Sequence, residues 1–183
     1  QKILTAIIEA YIQSGEPVGS KAVVEKLRRE IPDICLRTTV IVGFPGETEE
    51  EFNELCEYVA QTEFDRLGAF TYSREEDTPA YDFEDQIDEQ TKQDRYDIIM
   101  REQLHIAERK NQAFVGKRMT VLCEAYDAVA EIYYGRSAYD APDIDTKVYF
   151  RNALGKKRIA PGTFVEVDIE EAVDYDLIGK AVV

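Results

Sequence analysis

The chain has 183 residues, 44% of them apolar, and carries 37 Asp and Glu against 22 Lys and Arg, a formal charge of −15. Those totals fit one medium or two small domains. They exclude a membrane-spanning helix, since no apolar run approaches the ~20 residues such a span needs, and they weigh against nonspecific nucleic-acid binding, which needs clustered cations.

The charge is uneven. Residues 1–22 hold two charges of each sign, residues 23–113 hold 11 basic against 23 acidic residues, and residues 114–183 hold nine against twelve. An acidic body suits a basic protein partner better than RNA. The chain opens on Gln1, which raises the expectation of a fragment. It lacks a basic, apolar leader, which implies the cytoplasm.

In chain order, Ile3, Leu4, Ile7, Ile8, Tyr11 and Ile12 form an apolar stripe at helical spacing. Ser14-Gly15-Glu16-Pro17 interrupts it, and Ser20 is placed to cap a second helix. Val24 to Pro32 continues as helix. The run Thr39-Val40-Ile41-Val42 has the pattern of a strand buried on both faces. It stops at Gly43-Phe44-Pro45-Gly46, where Pro45 supplies the fixed φ of a turn's second position and Gly46 the positive φ of its third. Thr48 then caps a helix, with Glu51 closing a capping box. Strand, glycine turn and capped helix make a βα unit, and pockets of α/β proteins lie over the carboxyl ends of such strands. A turn of this kind also serves purely structural ends, and no Walker sequence follows it.

Phe52, Leu55, Cys56 and Val59 predict one packed face on the helix over 47–62. Arg66 to Ser73 reads as the next strand, and 74–88 as a polar loop long enough to be functional. Gln90 to Val115 reads as a long amphipathic helix through Tyr96, Ile99, Met100, Leu104, Ile106 and Ala107. Beyond Gly116 the period changes to two. Met119, Val121 and Cys123 alternate with Thr120, Leu122 and Glu124, and further strands are predicted over 147–151, 164–169 and 175–183. Gly135, Gly155, Gly162 and Gly179 read as punctuation. Four or five short strands suggest a small antiparallel barrel of the OB-like kind. Cys35, Cys56 and Cys123 form no CxxC or CxxxCxxC, so they read as reduced, buried thiols. His105, the single histidine, has no partner to make a metal or catalytic argument.

The wording of two stretches is more specific than their physics. VIVGFPGETEEEF (Val40 to Phe52) and AFTYSREEDTPAYDF (Ala69 to Phe83) resemble the radical S-adenosylmethionine methylthiotransferases, and the region after Gly116 resembles their C-terminal TRAM domain. The resemblance runs from about Val24 to the end of the chain. GRSAYDAPDIDTKVYF (Gly135 to Phe150) looks like the RimO branch, which methylthiolates an aspartate of a small-subunit ribosomal protein, whereas other branches modify tRNA. ILTAIIEAYIQSGEPVGSKAV instead resembles the opening of the helix-turn-helix of the HrcA repressor family, without the recognition helix that entry into DNA requires. A spliced or misassembled junction near residue 22 is therefore expected, and no DNA partner.

These resemblances imply a C-terminal portion of a radical SAM (β/α) partial barrel followed by a TRAM barrel. The implied divisions are 1–22 (foreign helical segment), 23–89 (barrel part), 90–115 (linker helix) and 116–183 (TRAM). The family uses S-adenosylmethionine and two [4Fe–4S] clusters. By family position Val42, Gly43, Phe44, Pro45, Tyr72 and Ser73 would meet the adenosine side of the cofactor, and Arg136, Asp140, Asp143 and Asp145 would meet a basic ribosomal protein. Solvated acids in a turn are the plainer reading of that last group. With the cluster cysteines absent from this sequence, no catalytic or metal residue is assigned, and the chain alone is expected to hold neither cluster. Lys156-Lys157-Arg158 offers a thin phosphate track for an RNA-binding alternative. Two or three βα units with open edges also predict that residues 23–113 associate.

Overall fold

The computed structural model describes Thr5, Ile12, residues 19–153, Gly155 and residues 158–182. Thr5 and Ile12 are helical and exposed. The rest of the first helical stripe, the Ser14–Pro17 break, and Lys156 and Lys157 lie outside the described residues. The chain divides into two compact units, Gln1–Met100 and Arg101–Val183.

The first unit begins with α1 (Ser20–Glu30), whose N-cap is Gly19 rather than the predicted Ser20. Strand β1 (Arg37–Val42) pairs in parallel with β2 (Arg66–Thr71), Val40 opposite Ala69 and Ile41 opposite Phe70. Between them runs α2 (Glu49–Thr62), with the reciprocal capping box complete: Thr48 Oγ1 accepts from the Glu51 amide, and the Glu51 carboxylate accepts from the Thr48 amide. Phe52 and Val59 are its buried apolar positions. Strand β1 departs from expectation. Val42 is fully buried but Ile41 is 59% exposed, as is Phe70 beside it at 63%. Among the described residues the sheet has two strands only, and the β1 face bearing Arg37, Thr39 and Ile41 is exposed.

A short 3₁₀ turn (Pro79–Asp82) breaks the long loop after β2, and α3 (Glu89–Gln112) follows. Its buried positions are not the apolar stripe alone. Lys92, Arg95, Gln103 and Asn111 are buried beside Ile99, Ile106 and Ala107. Hydrophobic patterning cannot register that face, because four of its members are polar.

In the second unit, β3 (Arg118–Asp127), β4 (Ile132–Arg136), β5 (Val148–Asn152), β6 (Phe164–Val173) and β7 (Asp176–Val182) close a barrel in the order β3-β4-β5-β7-β6. All pairs are antiparallel except β5 with β7. Met119, Val121, Cys123, Tyr133, Val148, Phe150, Val165, Val167, Ile169, Leu177 and Ala181 fill it. The predicted alternation at 119–123 is observed. Burial pushes the Cys123 thiol up, which keeps it protonated and inert.

Gly135 and Gly179, read from the sequence as punctuation, lie inside β4 and β7 instead. A Cβ at Gly135 would sit 2.0 Å from the Leu122 carbonyl oxygen, and one at Gly179 would sit 2.3 Å from that of Asp168. Both strands approach neighbours with a register shift, at Cys123/Ala125 and Ile169/Glu171. Glycine there permits the backbone approach by which a five-stranded sheet curls shut. Gly135→Ala should therefore destabilise the barrel by about 3 kcal/mol, read as a lowered urea midpoint by tyrosine fluorescence. An unchanged midpoint would contradict the close approach.

Candidate functional site

The turn after β1 has the geometry its residues predict. Gly46 takes φ +83°, and the Glu47 amide donates to the Phe44 carbonyl at 2.9 Å, closing a four-residue turn around Pro45. Gly43 is also left-handed, at φ +74°. The Tyr72 amide donates to the Val42 carbonyl at 2.9 Å, so the carboxyl ends of both strands meet here. Phe44, 44% exposed, meets Tyr72 edge-on at 5.2 Å and Phe83 at 6.1 Å. Val42, Gly43 and Pro45 are buried.

The structure thus gathers Val42, Gly43, Phe44, Pro45 and Tyr72. Ser73 is exposed, and its hydroxyl donates to Glu75 at 2.6 Å. The Tyr72 hydroxyl is buried with no hydrogen-bond partner among the described residues. An orphaned donor beside an exposed aromatic face suits a planar heteroaromatic ligand with nitrogen acceptors, so these residues fit the adenosine side of a nucleoside cofactor. They do not fit an iron–sulfur cluster. Among the described residues no three His, Cys, Asp or Glu side chains are grouped to hold a metal ion.

Several residues essential to this turn escape the sequence reading. The Glu47 carboxylate accepts from the Gly43 amide and pairs with the Arg95 guanidinium at 3.2 Å. Arg95 Nη1 also donates to the Glu47 carbonyl at 3.1 Å, and Nη2 reaches the exposed Glu49 at 3.5 Å. The same guanidinium stands 5.2 Å over the Phe52 ring. Lys92, almost fully buried, pairs with Glu89 at 2.7 Å and lies 5.3 Å from the Tyr72 ring centre. The Gly46 amide donates to the Asp85 carbonyl at 2.9 Å. Asp88 caps α3 through the Thr91 amide and hydroxyl, at 3.0 and 2.7 Å. The available sequence signals were the glutamate directly after the glycine turn and the Lys-x-x-Arg spacing at the start of α3.

The second candidate group is split by the structure. Arg136, Asp143 and Asp145 line one pocket of about 330 Å³ with Glu124, Tyr134 and Lys147, while Asp140 is not part of its lining. Asp140 accepts from the Ser137 amide and hydroxyl, at 3.1 and 2.6 Å. Asp145 accepts from the Ala141 amide at 2.6 Å, and Arg136 pairs with Glu124. Lys147 lies 4.3 Å over the Tyr134 ring. The pocket is therefore mixed in charge rather than purely acidic. His105 is exposed on α3, 3.4 Å from Glu108.

Residues 115–182 match the TRAM domain family. The chain is similar to the ribosomal protein uS12 methylthiotransferase RimO of several bacteria. It is 47% identical to that of Acetivibrio thermocellus over 164 residues, 90% of this chain and 36% of the relative. It is 42% identical to that of Alkaliphilus oremlandii over 180 residues, 98% and 41% respectively. The relative from Geotalea uraniireducens is 45% identical over 183 residues, all of this chain and 40% of its own length. The chain thus spans about two fifths of the curated relatives it matches, and the last alignment includes residues 1–22. None of these three is a DNA-binding repressor. No helix among the described residues is long and apolar enough to cross a membrane.

Two outcomes follow from the charges around the turn. Glu47→Gln removes the carboxylate that neutralises a buried guanidinium and should cost about 3 kcal/mol, whereas Glu49→Gln, at an exposed rim, should cost less than about 1 kcal/mol; urea unfolding of both variants compares them. The Thr91 hydroxyl and amide hold the Asp88 carboxyl below its ordinary value of 3.8. Its folded pKa is depressed, so its contribution is present above the unfolded value and lost as pH falls through the folded one. The stability difference between the wild type and Asp88→Ala should accordingly hold from neutrality to about pH 5 and shrink below pH 4, followed by circular dichroism.

Proposed function

We propose that this chain is the C-terminal part of a radical S-adenosylmethionine methylthiotransferase acting on an aspartate of a small-subunit ribosomal protein. In this reading residues 23–89 supply the adenosine side of a partial barrel, 90–115 lead away from it, and 116–183 form the TRAM module that docks the substrate. The observation that carries it is 45% identity to a uS12 methylthiotransferase across all 183 residues, together with the aromatic-walled turn at the carboxyl ends of two parallel strands.

S-adenosylmethionine on an iron–sulfur cluster would supply the radical chemistry in this reading, with the cluster held by residues outside this chain. This chain's own residues hold and orient. Phe44 and Tyr72 offer the apolar and edge contacts, and the Tyr72 hydroxyl offers a donor. In the TRAM module Asp143 and Asp145 offer carboxylates to a lysine or arginine of the substrate, with Tyr134 beside them. Arg136 and Lys147 limit how much cationic charge that pocket accepts.

A second reading, RNA contact through the TRAM module, has one observation in its favour. Tyr134 and Tyr149 are paired across β4 and β5, and Arg151 is paired with Lys180 across β5 and β7. Both pairs alternate with the buried Tyr133, Val148 and Phe150, so they share the barrel's outer surface. Aromatic rings flanked by cations suit stacked bases.

The test joins residues 24–183 of this chain behind the upstream part of the Acetivibrio thermocellus relative, with clusters reconstituted anaerobically. The chimera should methylthiolate purified uS12, and Asp143→Asn with Asp145→Asn should raise the KM for uS12 about tenfold. A cluster-loaded chimera that leaves uS12 unmodified overturns the reading, and one that modifies tRNA instead favours the second.

A further inference from the structure

The long helix α3 follows the β1–α2 turn by some forty residues, and two side chains of its first two turns, Arg95 and Lys92, pack against that turn at two points. At the first, the Glu47 carboxylate takes the Gly43 amide hydrogen and is itself held by Arg95, which is 6% exposed. Arg95 also binds the Glu47 carbonyl, so one guanidinium fixes both the side chain and the backbone of that residue. At the second, the Lys92 stem occupies the space a side chain at position 43 would need, because a Cβ built there falls 2.4 Å from Lys92 Cγ.

Gly43 is free to adopt φ +74° but is not compelled to, since glycine populates both signs of φ. Something outside the turn must select that conformation. A buried guanidinium and a buried lysine stem are suited to the task. Neither can relocate without leaving a charge or a void in the interior.

We propose that Arg95 and Lys92 are positioning residues of the nucleoside pocket: Arg95 acts through the Glu47 carboxylate on the Gly43 amide, and Lys92 acts through its alkyl stem on the Gly43 α-carbon. The helix read from sequence as a linker therefore sets the shape of the turn that meets the cofactor. The link to a cofactor rests on the function proposed above, whereas the link to the turn does not.

Amide hydrogen exchange on the ¹⁵N-labelled full chain tests it directly. Arg95→Met should accelerate exchange at Gly43 about tenfold and leave Val121 and Phe150 in the barrel unchanged, and Arg95→Lys should restore part of the protection. Lys92→Ala should accelerate Gly43 in the same way. Lys92→Met, which keeps the stem and drops the charge, should stay near the wild type. Equal exchange in Lys92→Ala and the wild type would overturn the steric half, and unchanged exchange in Arg95→Met the electrostatic half. Should Arg95→Met not fold, Arg95→Lys carries that half alone: wild-type protection at Gly43 would overturn it, and partial loss would support it.

In the chimera described above, Arg95→Lys and Lys92→Ala should raise the KM for S-adenosylmethionine about tenfold at unaltered cluster absorbance. An unchanged KM in an active chimera overturns the proposed role in the cofactor pocket. An inactive wild-type chimera overturns the function reading instead and leaves the exchange result standing.

Discussion

Taking a guanidinium out of water is costly unless it is paired and hydrogen-bonded, and the β1–α2 turn of the first unit meets that requirement. Arg95 is buried under the β1–α2 turn, where Glu47 meets it with its carboxylate and its carbonyl. The same carboxylate holds the Gly43 amide. One residue of the turn is thereby connected to the strand before it and to a helix 48 residues further on. Taking two charges out of water is offset only when their geometry is good and their other hydrogen bonds are made. Arg95 meets that condition in part: its Nη1 and Nη2 are engaged, while its Nε has no hydrogen-bond partner among the described residues.

The barrel of the second unit meets a different constraint, that of closing a short sheet on itself. Its two strand glycines let neighbouring backbones come closer than any Cβ would allow, each near a register shift. The barrel's buried cluster is apolar throughout, and the buried polar groups of this unit lie outside that cluster, as with Asn111, whose amide donates to the Tyr175 carbonyl at 2.9 Å. The loop between β4 and β5 is held largely by its own side chains. Asp140 and Asp145 are engaged with Ser137 and Ala141, which makes them as much struts as ligands.

The two candidate sites differ in how they treat charge. Around Gly43 the cations Lys92 and Arg95 are buried, while Phe44 and Phe83 are exposed and meet edge-on. Around Tyr134 both signs stand together in an open pocket. In the function proposed above, mixed charge there would discriminate among partners through pairing geometry more than through net attraction.

Local chemistry was legible from the residues alone wherever one segment decides the outcome. The Pro45-Gly46 turn, the Thr48–Glu51 capping box and the alternation of Met119, Val121 and Cys123 each depend on neighbours within a few positions, and each is present in the fold. The resemblance to methylthiotransferases was equally readable, because it lies in wording. Other features needed partners far along the chain. Glycine at 135 and 179 reads as a break until a carbonyl of another strand is found against it. The role of Lys92 and Arg95 shows only once a carboxylate 48 residues before Arg95 and a glycine beside Lys92 are found against them. Ile41 reads as core, yet is exposed on a sheet that has two strands among the described residues. Turn type and cap follow from short-range sterics and hydrogen bonding, which the order of residues determines. Whether a charge is buried or a glycine is required depends on what tertiary structure brings against it, and residue order over a few positions carries no record of that.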